Sequence, residues 1–120
     1  MDNKLLDLIK EILSNSDKLI IDQAISCTEY DFISNMHHSL GRQIRNNYFL
    51  CEPLSQIYSY MKHTFGLWHP DDMSTLVIQT LWCYIHNCTP NYHKTLLFFK
   101  THWDIYDPEN SCNIKLNYKS

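Results

Sequence analysis

Glycine and proline are scarce in this chain, with two Gly and four Pro in 120 residues. An all-β sandwich turns about every 8–12 residues and draws on both residue types to do so. Their scarcity excludes that architecture and favours long helices. A surplus of positive charge is missing too. The formal net charge is −3. The one local basic cluster, Arg42 with Arg45, is too small for the row of phosphate contacts on which nucleic-acid binding rests. No apolar run approaches the roughly 20 residues of a membrane span, so no membrane partner is expected. The start of the chain is charged and amphipathic and lacks the unbroken apolar centre of a secretory signal. Cysteine is present but does not pair off: Cys27, Cys51, Cys83, Cys88 and Cys112 are an odd number at irregular spacing. They do not suit a disulfide framework and read as reduced, mostly buried thiols of a cytoplasmic protein.

Signatures of catalysis and cofactor binding are absent as well. There is no H-E-x-x-H, no G-x-S-x-G elbow around Ser39 or Ser74, and no glycine loop to cradle a phosphate. His37 and His38 are neighbours, which on a helix sets them about 100° apart. Cys83-x4-Cys88 has no second pair to complete a zinc site. Asp71 and Asp72 are adjacent, the pattern of a helix start rather than of an acid–base pair. No catalytic residue, metal or cofactor is therefore assigned. His63, His86, His93 and His102 are scattered and expected at the surface.

The length suits one domain over residues 1–120. Apolar periodicity predicts an all-α bundle of about five helices. Residues 2–13 put Leu5, Ile9, Ile12 and Leu13 on one face, and Lys18–Ser26 fits a second helical segment. Thr28 and Asp31 approximate a capping box that opens a helix running to about Tyr48. Pro53 suits the first turn of the next helix, which carries Leu54, Ile57, Tyr58, Met61 and Phe65 and stops at Gly66. Pro70 begins another, with His69 as its N-cap and Asp71 and Asp72 in its first turn. Met73, Leu76, Val77, Leu81, Tyr84, Ile85 and Cys88 line that helix, and Ile78 and Trp82 widen its apolar surface past half the circumference, as for a helix covered on two sides. Thr89-Pro90 caps a last helix with Tyr92, Leu96, Phe99 and Trp103 on one stripe, although Leu97-Phe98-Phe99 also fits a strand. Residues 107–120 read as a tail. The alternation of Ile114, Leu116 and Tyr118 admits a small hairpin with Trp103–Tyr106.

Two stretches hold the unusual polar chemistry. On a helix from Thr28 to Tyr48, Met36, Leu40, Ile44 and Tyr48 fall within about 60° of Ile33. His37 and Asn47 fall inside that apolar stripe, where each needs a polar partner. His38, Gly41 and Arg45 follow along one flank, with Gly41 admitting a close backbone, while Arg42 and Asn46 point away. The second stretch, Trp68-His69-Pro70-Asp71-Asp72-Met73-Ser74, offers carboxylates at a helix N-terminus. Arg45 or Arg42 pairing with Asp71 or Asp72 would join the two as an internal clamp. The same set, His37, His38, Arg42, Arg45, Asn46, Asn47, His69, Asp71 and Asp72, could instead meet a small anionic ligand such as a nucleotide phosphate.

His38-x-Leu40-Gly41-Arg42-x-Ile44-Arg45-Asn46 followed by His69-Pro70-Asp71-Asp72-Met73-Ser74 resembles the signature of a family of small bacterial and phage proteins of unknown function, H-x-L-G-R-x-I-R-N and H-P-D-D-M-S. The resemblance covers about residues 33–87. A Trp often follows the first motif in that family; this chain has Cys51 there, so no stacking role carries over. No activity comes with the resemblance. What it implies is a protein partner, a toxin or a defence protein, in immunity or anti-defence. The expectation is a small non-enzymatic binding protein acting through protein–protein contact. The alternative is a nucleotide- or anion-binding domain, or a small enzyme, built on the two polar motifs.

Overall fold

The N-terminal residues make an amphipathic helix because Leu5, Leu8, Ile9 and Ile12 recur at helical spacing, and all four are buried. The computed structural model describes residues 3–48, 50, 52 and 54–106, with side chains to residue 101. These residues form seven helices and no strand. They are α1 (Asn3–Asn15), α2 (Lys18–Ser26), α3 (Glu29–Met36), α4 (Leu40–Asn47), α5 (Gln56–Phe65), α6 (Pro70–Ile85) and α7 (Tyr92–Tyr106). The all-α expectation stands and the helix count rises. Of the face expected for α1, Leu13 is only half-buried, and Leu8 takes the place assigned to it.

The extra helices arise where one long helix was expected. Thr28 does open α3, its Oγ1 accepting the Asp31 N–H at 3.2 Å. The helix ends at Met36, however, and residues 37–39 form a turn before α4. His37, His38 and Ser39 are all mediocre helix formers, so the run has little intrinsic tendency to hold the ladder closed. His37 keeps helical dihedrals (φ −57°, ψ −44°), and the Gln43 N–H bonds the Ser39 carbonyl at 3.2 Å to restart the helix. The break frees the two helices from a common phase. Phe32, not Ile33, is the buried residue of α3, and Leu40, Gly41 and Ile44 are buried in α4. Asn47, expected on the core-facing arc, is exposed.

α5 starts later than expected. Ser55 caps it, its Oγ accepting the Tyr58 N–H at 3.1 Å. Leu54 therefore precedes the helix and is 100% exposed, while the role expected of Pro53 lies outside the described residues. At the other end Gly66 adopts φ 71° and returns its N–H to the Lys62 carbonyl at 2.9 Å. This left-handed conformation is one that glycine takes without steric cost.

Pro70 opens α6, where its missing N–H is no loss. The helix is buried nearly all round: Met73, Ser74, Leu76, Val77, Ile78, Gln79, Thr80, Leu81 and Cys83. Thr80 satisfies its hydroxyl on the Leu76 carbonyl at 2.8 Å. Tyr84 and Cys88, assigned to the inward face, are exposed. In α7 the cap is Asn91, whose Oδ1 accepts the Lys94 N–H at 3.2 Å, in place of Thr89-Pro90. Leu97, Phe98 and Phe99 are helical, with only Phe99 buried, and Trp103–Tyr106 belong to α7 and not to a hairpin. Ile114, Leu116 and Tyr118 lie outside the described residues.

The chain divides into two compact units, one running up to Gln43 and including Ser74–Pro90, the other Ile44–Met73 and the chain from Asn91. Within the first, Trp82 Nε1 donates to the Cys27 carbonyl at 3.0 Å. Within the second, the Tyr58 hydroxyl donates to the Trp68 carbonyl at 2.8 Å, and the Phe65 and Tyr92 rings meet edge to face at 5.2 Å. Among the described residues no helix is long and apolar enough to cross a membrane.

Candidate functional site

Of the four arginine–aspartate pairings open in the sequence, the structure contains Arg45 with Asp71. Arg45 Nε lies 3.5 Å from Asp71 Oδ1. The Arg45 side chain is 13% exposed and that of Asp71 49%. At 3.5 Å this approach is longer than the bonds of a tight arginine–carboxylate fork. Asp71 sits in the first turn of α6, where the helix dipole also favours its charge.

His69 completes this corner. Its Nδ1 accepts the Asp71 N–H at 3.1 Å, and its carbonyl accepts the N–H groups of Asp72 and Met73, each at 3.1 Å. An imidazole nitrogen that accepts carries no proton, so in this arrangement His69 is neutral with its hydrogen on Nε2. Its Nδ1 also lies 3.9 Å from Asp71 Oδ2, an ion pair only if that cap bond is given up. The His69 ring meets Trp68 edge to face at 5.5 Å. Arg45, His69 and Asp71 thus form one cluster within the second unit, and Asp72 is half-buried beside Asp71 in the sequence.

The other expected site residues are placed differently. His37 is half-buried and touches the exposed His38 edge to face at 5.0 Å. Arg42, Asn46 and Asn47 are exposed. Among the described residues no group of three or more His, Cys, Asp or Glu side chains is placed to hold a metal ion.

The profile of a domain of unknown function, DUF6794, matches residues 5–85. The chain belongs to the DUF6794 family. The match takes in α1 through α6, hence both polar motifs, and stops short of α7. No curated protein and no solved structure matches the chain.

Sequence reasoning missed a second cluster inside the DUF6794 match or next to it. His86 is exposed as expected, yet its Nε2 lies 2.7 Å from the Ala24 carbonyl, so Nε2 must donate. Its ring stacks on Trp82 at 3.9 Å. The Cys83 thiol points at Glu29 Oε2 at 3.3 Å. Burial pushes the Cys83 thiol well above its ordinary range, and hydrogen bonds with Cys88 and Glu29 push the same way. The i, i+4 spacing of Trp82 and His86 was a legible sign of their stacking. Nothing in the spacing pointed to Glu29. Of the described thiols only Cys83 is buried; Cys27 is half-buried and Cys88 exposed.

A third feature lies at α2. At about 100° per residue, Lys18, Leu19, Asp22, Ile25 and Ser26 share one side of the helix, opposite Ala24. All five are exposed and Ala24 is fully buried. Leu19 is 62% exposed and Ile25 60%. Beside α2 is an open cleft of about 670 Å³ whose lining includes Asp17, Leu19, Ile20, Gln23, Met36 and Gln43.

Proposed function

We propose that this DUF6794 chain is a non-enzymatic module that binds a protein partner through the outer side of α2 and the cleft beside it. The observation that carries this reading is the exposure of Leu19 and Ile25 on either side of Asp22. Burying a side chain of that size is worth about 1.5–3 kcal/mol, and two such groups on one short helix leave that gain for an association. Tyr30, 77% exposed at the start of α3, adds an aromatic group of the kind enriched at binding surfaces. The neighbourhood is acidic: Asp17, Asp22, Glu29 and Asp31 stand against Lys18 alone between residues 17 and 36. The partner is therefore a protein presenting a basic group set among apolar side chains. A cytoplasmic toxin or defence protein, in a bacterial or phage setting of immunity or anti-defence, fits that description. The polar motifs play a different part in this reading, since Arg45, His69 and Asp71 are engaged with one another and hold α6 at its start.

Binding can be measured by titration calorimetry against basic proteins encoded next to this gene. Ile25→Asp and Leu19→Asp should weaken binding at least tenfold and leave the melting temperature within about 2 °C, because both positions are exposed. The reading is overturned if nucleotides or other small anions raise the melting temperature, Arg45→Ala abolishes that rise, and Ile25→Asp leaves every interaction intact.

A further inference from the structure

We propose that Cys83 and Cys88 form a thiol–disulfide site that a hydroperoxide oxidises and a small dithiol reduces. The geometry of the α6 C-terminus carries this inference. Asn87 adopts φ 56°, the left-handed conformation that ends many helices and that Asn tolerates better than most residues. The Cys88 N–H then bonds the Cys83 carbonyl at 2.9 Å and the Asn87 N–H bonds the Tyr84 carbonyl at 3.3 Å. These are the two bonds of the Schellman motif, which brings the side chain two places beyond the cap back onto the last turn. Here both of the side chains it joins are thiols. The pair opens onto a cleft of about 400 Å³ lined by Cys83, Tyr84, Ile85, Asn87 and Cys88, so a small oxidant has access.

The two thiols differ in a way that orders the chemistry. Cys88 is exposed and Cys83 is buried against Glu29. The Cys88 thiolate attacks one oxygen of the hydroperoxide; an S–O bond forms, the O–O bond breaks, and the other oxygen leaves and becomes water or an alcohol on protonation. The Cys88 sulfur, now a sulfenic acid, has lost two electrons and the peroxide has gained them. Cys83 then attacks that sulfur while its proton passes to Glu29 Oε2, which already lies 3.3 Å away. The S–S bond forms, the S–OH bond breaks, and the departing hydroxide takes the proton back from Glu29 and leaves as water. A dithiol reverses the change by thiol–disulfide exchange and leaves as its own disulfide.

The test treats reduced, full-length protein with hydrogen peroxide, blocks remaining thiols under denaturing conditions and maps tryptic peptides by mass. Residues 63–93 contain no Lys or Arg, so trypsin releases His63–Lys94 with both sulfurs in one peptide. The expected product is that peptide lighter by two hydrogens and unblocked, restored by dithiothreitol. In Cys83→Ser, dimedone should instead trap Cys88 as its sulfenic acid. In Glu29→Gln that trappable species should persist several-fold longer than in the wild type. Wild-type peptide in which Cys88 is overoxidised while Cys83 stays free to be blocked would overturn the proposal. Closure of the disulfide at the wild-type rate in Glu29→Gln would remove Glu29 from it.

Discussion

Cutting the contact between Arg45 and Asp71 tests whether the two polar motifs are a clamp. The geometry sets the magnitude. Asp71 is half-exposed and the approach is 3.5 Å, so solvent screens the attraction and the pairwise coupling should be about 0.5–1 kcal/mol. Arg45 is mostly covered, at 13% exposure, and its aliphatic stem contributes packing that a charge change alone would not reveal. Arg45→Ala should therefore cost about 1–2 kcal/mol. Asp71→Ala should cost about 0.5–1.5 kcal/mol, through the lost pair and a lost favourable charge at the α6 N-terminus. His69 Nδ1 still accepts the residue-71 N–H in that variant, because the donor is backbone. The assay is a double-mutant cycle from urea melts. The double variant should lose less than the sum of the singles, by the coupling energy, and the coupling should shrink in high salt. A coupling indistinguishable from zero would refute the clamp. Two stable single variants that no longer bind a ligand or partner would show instead that these side chains form a site.

Three further perturbations follow from the fold. Gly66→Ala should cost about 1 kcal/mol, since the residue must keep φ 71°; a melting temperature equal to wild type would mean the α5 terminus has another conformation open to it. Phe32→Ala removes a ring with 0% exposure and should cost about 3–5 kcal/mol in denaturant unfolding, enough to make the folded state marginal. The third concerns alkaline pH, measured by urea melts under reduction. The Cys83 thiol is held above its ordinary value of 9.0 in the folded chain, so the native state keeps a proton that the unfolded state releases. Stability from this group is whole below about pH 9 and falls as pH rises beyond it, by at most about 1.4 kcal/mol per pH unit. Cys83→Ala should flatten that alkaline slope, and an unchanged slope would show that the thiol does not contribute.

Much of this architecture was legible from local signals. Thr28, Gly66 and Pro70 mark their helix ends for reasons confined to a few bonds: a hydroxyl within reach of Asp31, a backbone free to take positive φ, and a ring that lacks an N–H. Periodicity likewise identified α1, α6 and α7, and it gave α6 an apolar surface of more than half its circumference, whereas the helix is buried nearly all round. What could not be read was phase. Nothing local forbids a continuous helix through His37-His38-Ser39, and His37 itself keeps helical dihedrals. The break there moved Asn47 out to solvent and decided which arginine reaches Asp71. Arg42 and Arg45 are separated by less than one turn, so the choice between them depends on where α4 begins. Leu54 failed for a related reason, because the capping bond of α5 comes from Ser55 and leaves Leu54 ahead of the helix.

The Cys83–Cys88 pair shows the opposite balance, a local signal that was present and passed over. Asn87 ends α6 in the left-handed region, and that single backbone choice folds Cys88 back so that its N–H bonds the Cys83 carbonyl and both cysteines line one cleft. The carboxylate that faces them comes from α3, more than fifty residues earlier, so only the folded chain could supply it. Both of the features proposed to act, the α2 face and the thiol pair, lie within the first unit, whereas the Arg45–Asp71 pair lies in the second. Of the motifs that looked most like chemistry in the sequence, Arg45, His69 and Asp71 are engaged with one another, while Arg42, Asn46 and Asn47 are exposed. The groups proposed to act are an ordinary-looking Leu, an Ile and two cysteines. A polar residue among apolar ones signals only that a partner is needed. Whether that partner is another part of the chain or another molecule depends on which side chains folding brings within reach.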